Sequence, residues 1–293
     1  MPAIGTSARS TFTPFDAAAG LLAVVVWGFN YVAVKAGTHE FPPLLLTGLR
    51  FLLVAALLVP FYRLPRRQWR LIVLLSSLMG TMHFGMFFAS MAGLDVPTGA
   101  IVGQLAVPFS AVVAAVFYGE RLGLQGLFGM FVSFAGVLLV VGEPQHADPV
   151  SLVLSGLSSV AWALSMVVIK KIGPINPLAL NGWMAAFAVP QLFLLSWCLE
   201  QGQMHSFANA GWKGWGAVGY TGILATIVAY SLWYRLLARY PINRVVPLNL
   251  LNPVIAVVAG VALFGDSLSW AKVIGGTATL VGVAVLQFRR SPC

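Results

Sequence analysis

Charge is the scarcest thing in this chain. Only 9% of its 293 residues are Asp, Glu, Lys or Arg, against about 25% in a soluble globular domain. The 8 acids are outnumbered by 17 bases. None of the acids falls near the middle of a long apolar run, so a proton relay built on a membrane-embedded carboxylate has no carrier here. Cysteine is almost missing as well. Cys198 and Cys293 cannot build a disulfide framework, and no metal or redox role follows from them. The four histidines, His39, His83, His146 and His205, are scattered. A membrane enzyme acting on lipid would need clustered nucleophile, base or metal ligands, so that class is disfavoured. There is no nucleotide-binding glycine-rich loop and no polar stretch long enough to fold as a soluble domain, so no cofactor is implied.

What the chain has is apolar length. It is 59% hydrophobic, with a mean hydropathy of +0.89. Ten continuously apolar runs cover residues 17–36, 43–62, 71–91, 98–118, 124–141, 151–169, 177–198, 214–234, 244–264 and 270–288. A spanning helix needs about 20 such residues. Spanning β-strands would alternate polar and apolar over about ten residues, and these runs do not. The expected fold is therefore an all-α integral membrane protein with ten transmembrane helices. The run from Ala17 is too long for a signal-peptide core and lacks a cleavage site, so it reads as an uncleaved first span.

The net charge of +9 does not point to nucleic acid, because the basic residues sit in short loops rather than on one polar face. They set orientation instead. With the N-terminus in the cytoplasm, 13 of the 17 Lys and Arg fall on the inside. Lys35, Lys213 and Lys272 fall outside, and Arg50 lies within the second span. The excess of basic residues places both termini in the cytoplasm.

The second half of the chain repeats the first. PINRVVPLNLLNPVIAVVAGVALFGDSL, Pro241 to Leu268, echoes PTGAIVGQLAVPFSAVVAAVFYGERL, Pro97 to Leu122. Pro108 matches Pro253, and Gly119-Glu120 matches Gly265-Asp266, with the first copy one residue shorter between them. Trp27 to Lys35 parallels Trp162 to Lys170 with identical spacing, and Pro43 and Gly48 parallel Pro177 and Gly182. Five helices per half is an odd number, so the halves must be inverted. The expected organisation is a cytoplasmic tail (1–16), a first five-helix repeat (17–141), an outer linker (142–150), a second repeat (151–288) and a cytoplasmic tail (289–293). An inverted repeat gives two interconvertible shapes, one open to each side, around a central cavity.

With these motifs the chain resembles the drug/metabolite transporter superfamily, EamA type. The resemblance rests on Trp27 to Lys35, Pro108, Pro253, the two helix-ending Gly-acid pairs, and ATIVAYSLWYR at Ala225 to Arg235. It covers about residues 17–288. It implies ten helices around a central cavity and export of small metabolites, often amino acids, across the bacterial inner membrane. Within the family the chain looks most like the aromatic amino-acid exporters. Small multidrug-resistance relatives carry an acidic residue in the first helix; here that helix holds Asn30.

Polar groups in mid-span are costly facing lipid, so they turn toward protein or a water-filled cavity. The candidate substrate-binding residues are Trp27, Asn30, His83, Phe87, Gln104, Trp162, Tyr230 and Asn252. Trp27, Asn30, Tyr31 and Val34 share one helical face. Trp27 and Trp162 lie too deep for interface anchors, leaving cavity lining and plain helix packing as rivals. His83 either touches substrate or bonds a neighbouring helix. Gln104, Asn249 and Asn252 precede prolines that free backbone carbonyls, so these amides serve substrate or satisfy the kinks. Tyr230 is the preferred member of an aromatic stripe that is otherwise packing. Arg50 in the second helix could pair with a substrate carboxylate; the stronger expectation is that it snorkels outward or pairs with an outer-loop acid. The glycines of the fifth and tenth helices serve either packing within the chain or dimerisation.

The partners expected are thus a small-molecule substrate and the lipid bilayer, with no nucleic acid, and the chain acts as a monomer or homodimer. An anionic phosphate substrate would want more cations in the cavity. Fused after Cys293, green fluorescent protein is expected to fluoresce in intact cells. A dark, exported fusion would reverse the orientation.

Overall fold

The computed structural model describes residues 13–64, 66–120, 123–142 and 148–288. Arg9, Arg121, Glu143, His146, Arg289, Arg290 and Cys293 lie outside the described residues, as do most of the two tails and of the linker. The described residues are helical and contain no strand. Among the described residues, nine helices are long and apolar enough to span a membrane: α1 (Pro14–Thr38), α3 (Trp69–Gly93), α4 (Val96–Tyr118), α5 (Gly123–Val141), α6 (Pro149–Ile172), α7 (Pro177–Leu199), α8 (Trp212–Arg239), α9 (Val246–Phe264) and α10 (Trp270–Gln287). The remaining apolar helix, α2 (Pro43–Leu58), has 16 residues. That is about 24 Å of helix, short of the roughly 30 Å hydrocarbon core. Val59 is still helical and its amide bonds the Ala55 carbonyl at 2.9 Å, but Pro60 has no N–H with which to continue the ladder, and the helix ends there. A short helix, Gln203–Asn209, bridges α7 and α8. Each of the ten expected runs is thus a helix within a few residues of its expected bounds.

The helix starts are written locally. Thr13, Asp95, Asp148, Asn176 and Ser269 accept hydrogen bonds from the first-turn amides of α1, α4, α6, α7 and α10. Proline occupies a first-turn position where its missing N–H costs nothing. The Ser151 hydroxyl and amide hold the Asp148 carboxyl below its ordinary range, so this cap is formed at neutral pH and lost as pH falls through that lowered value. α2 starts on prolines and is capped from a distance: Glu200, just past α7, accepts from the Leu44 and Leu45 amides at 2.7 and 3.1 Å. The repeated Gly-acid pairs are helix stops. Gly119 and Gly265 sit at φ 67° and 69°, the left-handed conformation that glycine adopts without strain.

The packing obeys the repeat. α1 packs on α8 and α9, and α6 packs on α3 and α4, which is the same relation shifted by five helices. α5 pairs with α10, and α2 with α7. Both of these pairs run antiparallel. Gly136 faces Gly275 while Gly129 faces Gly282, and Ser133 Oγ donates to the Thr279 carbonyl at 3.4 Å between them. Gly48 near the start of α2 meets Phe193 late in α7, whereas Gly182 early in α7 meets Leu58 at the end of α2. Repeat mates that lie antiparallel show that the halves are inverted.

The glycines of the fifth and tenth helices are consumed inside one chain. A Cβ on Gly136 would lie 2.5 Å from the Gly275 carbonyl oxygen. Without a hydrophobic drive between helices in lipid, such backbone contact is a main source of association. Outward the bundle is apolar: Leu138 on α5, Trp197 on α7 and Val258 on α9 are all more than 60% exposed. Trp212 and Trp270 are exposed at helix starts, as anchors at the interface would be.

Charged groups sit at the two ends. Where α1 begins, buried Asp16 pairs with Arg235 Nε at 3.3 Å and Arg239 Nη1 at 3.4 Å and accepts from the Tyr240 hydroxyl at 2.9 Å. At the opposite end Lys272 Nζ lies 2.7 Å from Asp95, and Asp266 accepts from the Val96 amide at 3.0 Å. Burial pushes the Asp266 carboxyl up, with Asp95 adding to it.

Gly136→Ala is expected to destabilise the protein by about 1–3 kcal/mol, because its Cβ meets backbone that cannot step aside. Gly156→Ala on α6 has open space around its Cβ and is expected to leave thermal melting in detergent unchanged or slightly raised. Equal melting of the two variants would contradict the glycine interface.

Candidate functional site: an aromatic interior around a buried arginine

In each repeat the third helix widens and the fourth is interrupted. α3 is π-helical over Ser76–Phe84, and α8 is π-helical over Tyr220–Val228. α4 breaks at Gln104 and Leu105, whose amides bond three residues back to Ile101 and Val102 at 3.1 and 3.0 Å. α9 begins as a 3₁₀ turn over Val246–Leu250. Both breaks lie just before the repeated prolines. Pro108 and Pro253 have no N–H to offer the carbonyls of Gln104 and Asn249, four residues earlier. The Gln104 carbonyl takes the Val107 amide instead, at 3.1 Å. π segments and broken helices recur at functional sites because they free backbone groups and re-aim side chains.

Neighbouring side chains lock these irregular segments. The Trp27 indole donates to the Ala225 carbonyl at 3.0 Å, and the Tyr220 hydroxyl donates to the Val26 carbonyl at 2.9 Å, so α1 and the wide part of α8 hold each other reciprocally. In the other half, His83 Nδ1 lies 2.9 Å from the Ser158 carbonyl and 3.0 Å from its hydroxyl. A carbonyl can only accept, so Nδ1 carries the proton. Gln191, next to Pro190 inside α7, donates to Ser76 Oγ and to the Phe187 carbonyl and accepts from Thr81.

Two aromatic clusters result. Trp27 packs edge-on against Tyr230 and Trp233, with ring centres 5.1 and 5.2 Å away. His83 packs against Phe84, Trp162 and Phe87 at 4.6, 4.9 and 6.2 Å, and Phe87 meets Tyr31 at 5.3 Å. Tyr31, His83 and Tyr230 are surrounded by protein on all sides yet keep accessible surface.

Arg50 stands between the clusters. It is 2% exposed. Its guanidinium lies 4.3 Å over the Phe84 ring, with Phe51 and Phe88 at 5.0 and 5.3 Å, and Nη2 donates to Thr226 Oγ1 at 3.0 Å. It lies within electrostatic reach of His83 and Tyr230. The expected outward snorkel or outer-loop acid is therefore not what the structure has. A side chain seven residues into the short α2 cannot reach the interface past the packed α3 and α8, and no ion pair involves it among the described residues. Its burial was the signal that spacing alone did not carry.

Of the residues expected at a site, Trp27 and Tyr230 come together in one cluster, and His83, Phe87 and Trp162 in the other. Asn30 and Asn252 lie on α1 and α9, which meet where a Cβ on Gly28 would touch Ile255 and the Asn252 carbonyl. The side-chain oxygens of Asn30, Asn249 and Asn252 are buried without a hydrogen-bond partner. Gln104 lines a separate groove of about 190 Å³ between α4, α9 and α10, with Ile101, Pro253, Val257 and Leu280.

His83→Ala is expected to weaken substrate binding by about 1–2 kcal/mol, roughly tenfold. Unchanged affinity and an unchanged pH profile would leave the histidine a purely structural bond to α6.

Comparison with known proteins agrees with the two-repeat fold. The EamA-like transporter family matches residues 16–142 and again 150–288. A protein of Salmonella typhimurium named as a probable amino-acid metabolite efflux pump is 32% identical, over 93% of this chain and 95% of its own. The protein of the same description from Escherichia coli K12 is 29% identical over the same shares. An uncharacterized inner membrane transporter of that organism is 24% identical over 84% and 81%. One solved crystal structure shares the fold at a TM-score of 0.61 and 20% identity, over 94% of this chain and 96% of its own. With two tandem matches over nearly all of its length, the chain belongs to the EamA-like transporter family.

Proposed function

We propose that this transporter exports amino acids and related metabolites, aromatic and hydrophobic ones included, from the cytoplasm across the bacterial inner membrane. The observation that carries this reading is the composition of the interior. Each repeat contributes an aromatic cluster to it, and where α1 meets α9 the amide oxygens of Asn30 and Asn252 are buried without a partner. Rings and Phe side chains suit an apolar side chain. The Asn30 and Asn252 oxygens suit an ammonium group, which donates up to three hydrogen bonds. An unmet polar atom away from water costs about 1–3 kcal/mol, which a matching ligand group recovers.

Alternating access follows from the inversion. The two halves make equivalent contacts with exchanged partners, so a shape open to one side has a counterpart open to the other. The Asp16 cluster would close one end of the passage, and the Lys272–Asp95 pair with Asp266 the opposite end. The solute would move as these ends open in turn. Both termini lie in the cytoplasm on this reading, and no carboxylate lies near the middle of a described span to carry protons.

Uptake into proteoliposomes of labelled Phe, Trp, Met, Leu, Thr and Asp, with and without a pH gradient, tests the proposal. Saturable uptake of the neutral members, strongly reduced by Trp162→Ala and indifferent to the gradient, is expected. Absence of uptake for the whole panel, in vesicles shown to hold folded protein, would overturn the amino-acid assignment.

A further inference from the structure

We infer that Arg50 is the seat of a substrate carboxylate, so that every transported solute must carry one negative charge at this point. The inference rests on the proposed amino-acid transport and adds to it a named anchor and a charge requirement.

Arg50 is a buried cation that the protein leaves half served. A guanidinium has five N–H bonds in one plane. The protein provides one acceptor, Thr226 Oγ1 on Nη2, while Nε and Nη1 have none, which leaves at least three N–H bonds unmet. The rings of Phe51, Phe84 and Phe88 lie near the guanidinium. They offset part of the charge but accept none of its in-plane hydrogen bonds. A buried charge without a counter-ion is among the costliest things a fold can hold. The other buried ionised groups among the described residues do not share the condition: Asp16 has two arginines, and Lys272 has Asp95.

Position adds to the case. Phe84 beneath the guanidinium also packs against His83, and Tyr230, within its electrostatic reach, packs against Trp27, so the guanidinium links the two aromatic clusters. The second repeat has no equivalent. Pro43 and Gly48 match Pro177 and Gly182, and the same offset puts Met184 opposite Arg50. Helix packing common to both halves therefore does not need the cation.

The charge selects the anion. One guanidinium balances one carboxylate, and its planar fork suits two carboxylate oxygens. A phosphate monoester carries about 1.5 to 2 negative charges and would need a second cation. Lys35 is the nearest candidate along α1, and its ammonium donates to the Ala92 carbonyl at the far end of that helix.

The test uses the full chain in proteoliposomes, with labelled phenylalanine as the probe. Unlabelled phenylalanine should compete at least tenfold better than phenylalaninamide, which has the same size and no carboxylate. Arg50→Gln should lose that preference, and Arg50→Lys should keep part of it, having the charge without the fork. Thermal stabilisation of the detergent-purified proteins by benzoate and by phenyl phosphate is read in parallel. Stabilisation of the wild type by benzoate, absent in folded Arg50→Gln, supports the seat even if no amino acid is transported, which separates this inference from the transport reading. Equal competition by acid and amide, an Arg50→Gln protein that still prefers the acid, or stronger stabilisation by phenyl phosphate would each overturn it.

Discussion

Inside a bilayer no water is at hand to repair a missing hydrogen bond, and most of this structure follows from that constraint. Ten helices satisfy their backbones internally. Several of the irregular stretches are braced by side chains. Trp27 reaches the Ala225 carbonyl, Tyr220 reaches Val26, and Gln191 takes the Phe187 carbonyl beside Pro190. The interruptions are therefore supported features. Apart from the proline of α7, they fall in the third and fourth helices of both repeats.

The inverted repeat supplies the scaffold, and its broken symmetry supplies the chemistry. α5 with α10 and α2 with α7 are antiparallel pairs of repeat mates, so each half can take up the contacts of the other. Glycine makes this possible at the α5–α10 seam, where the two backbones touch. The groups that give the interior its character are not repeated. Arg50 faces Met184 in the alignment of the halves, and His83 and Thr226 each belong to one half only. A scaffold that must work in two mirrored shapes thus holds a site with one polarity.

Charge is placed by the same economy. Ion pairs occur at the two ends of the bundle, where part of each group still meets water, and the spans between are nearly free of them. Arg50 breaks that rule, and the fold surrounds it with aromatic rings and one hydroxyl instead of an acid. A carboxylate there would have neutralised the site permanently. Its absence keeps the interior receptive to an anion.

Much was legible in the residues alone. Ten apolar runs became ten helices because in lipid a run of twenty apolar residues has no other stable form. The helix starts and stops followed from local chemistry, as the caps at Asp95, Asp148 and Asn176 and the left-handed Gly119 and Gly265 show. The repeat was visible because paired prolines, glycines and tryptophans kept their spacing, and inversion followed from an odd helix count. Tertiary structure decided what periodicity could not. A π segment shifts the phase of a helix, so the face shared by Thr226, Tyr230 and Trp233 on a regular helix splits, with Thr226 bonding Arg50 while Tyr230 and Trp233 pack on Trp27. Which glycines meet, and that they meet within one chain, depends on how α5 and α10 are brought together. The environment of Arg50 depends on three helices far apart in sequence. No local pattern states whether a long side chain has a path to the interface, and only the assembled bundle closed that path.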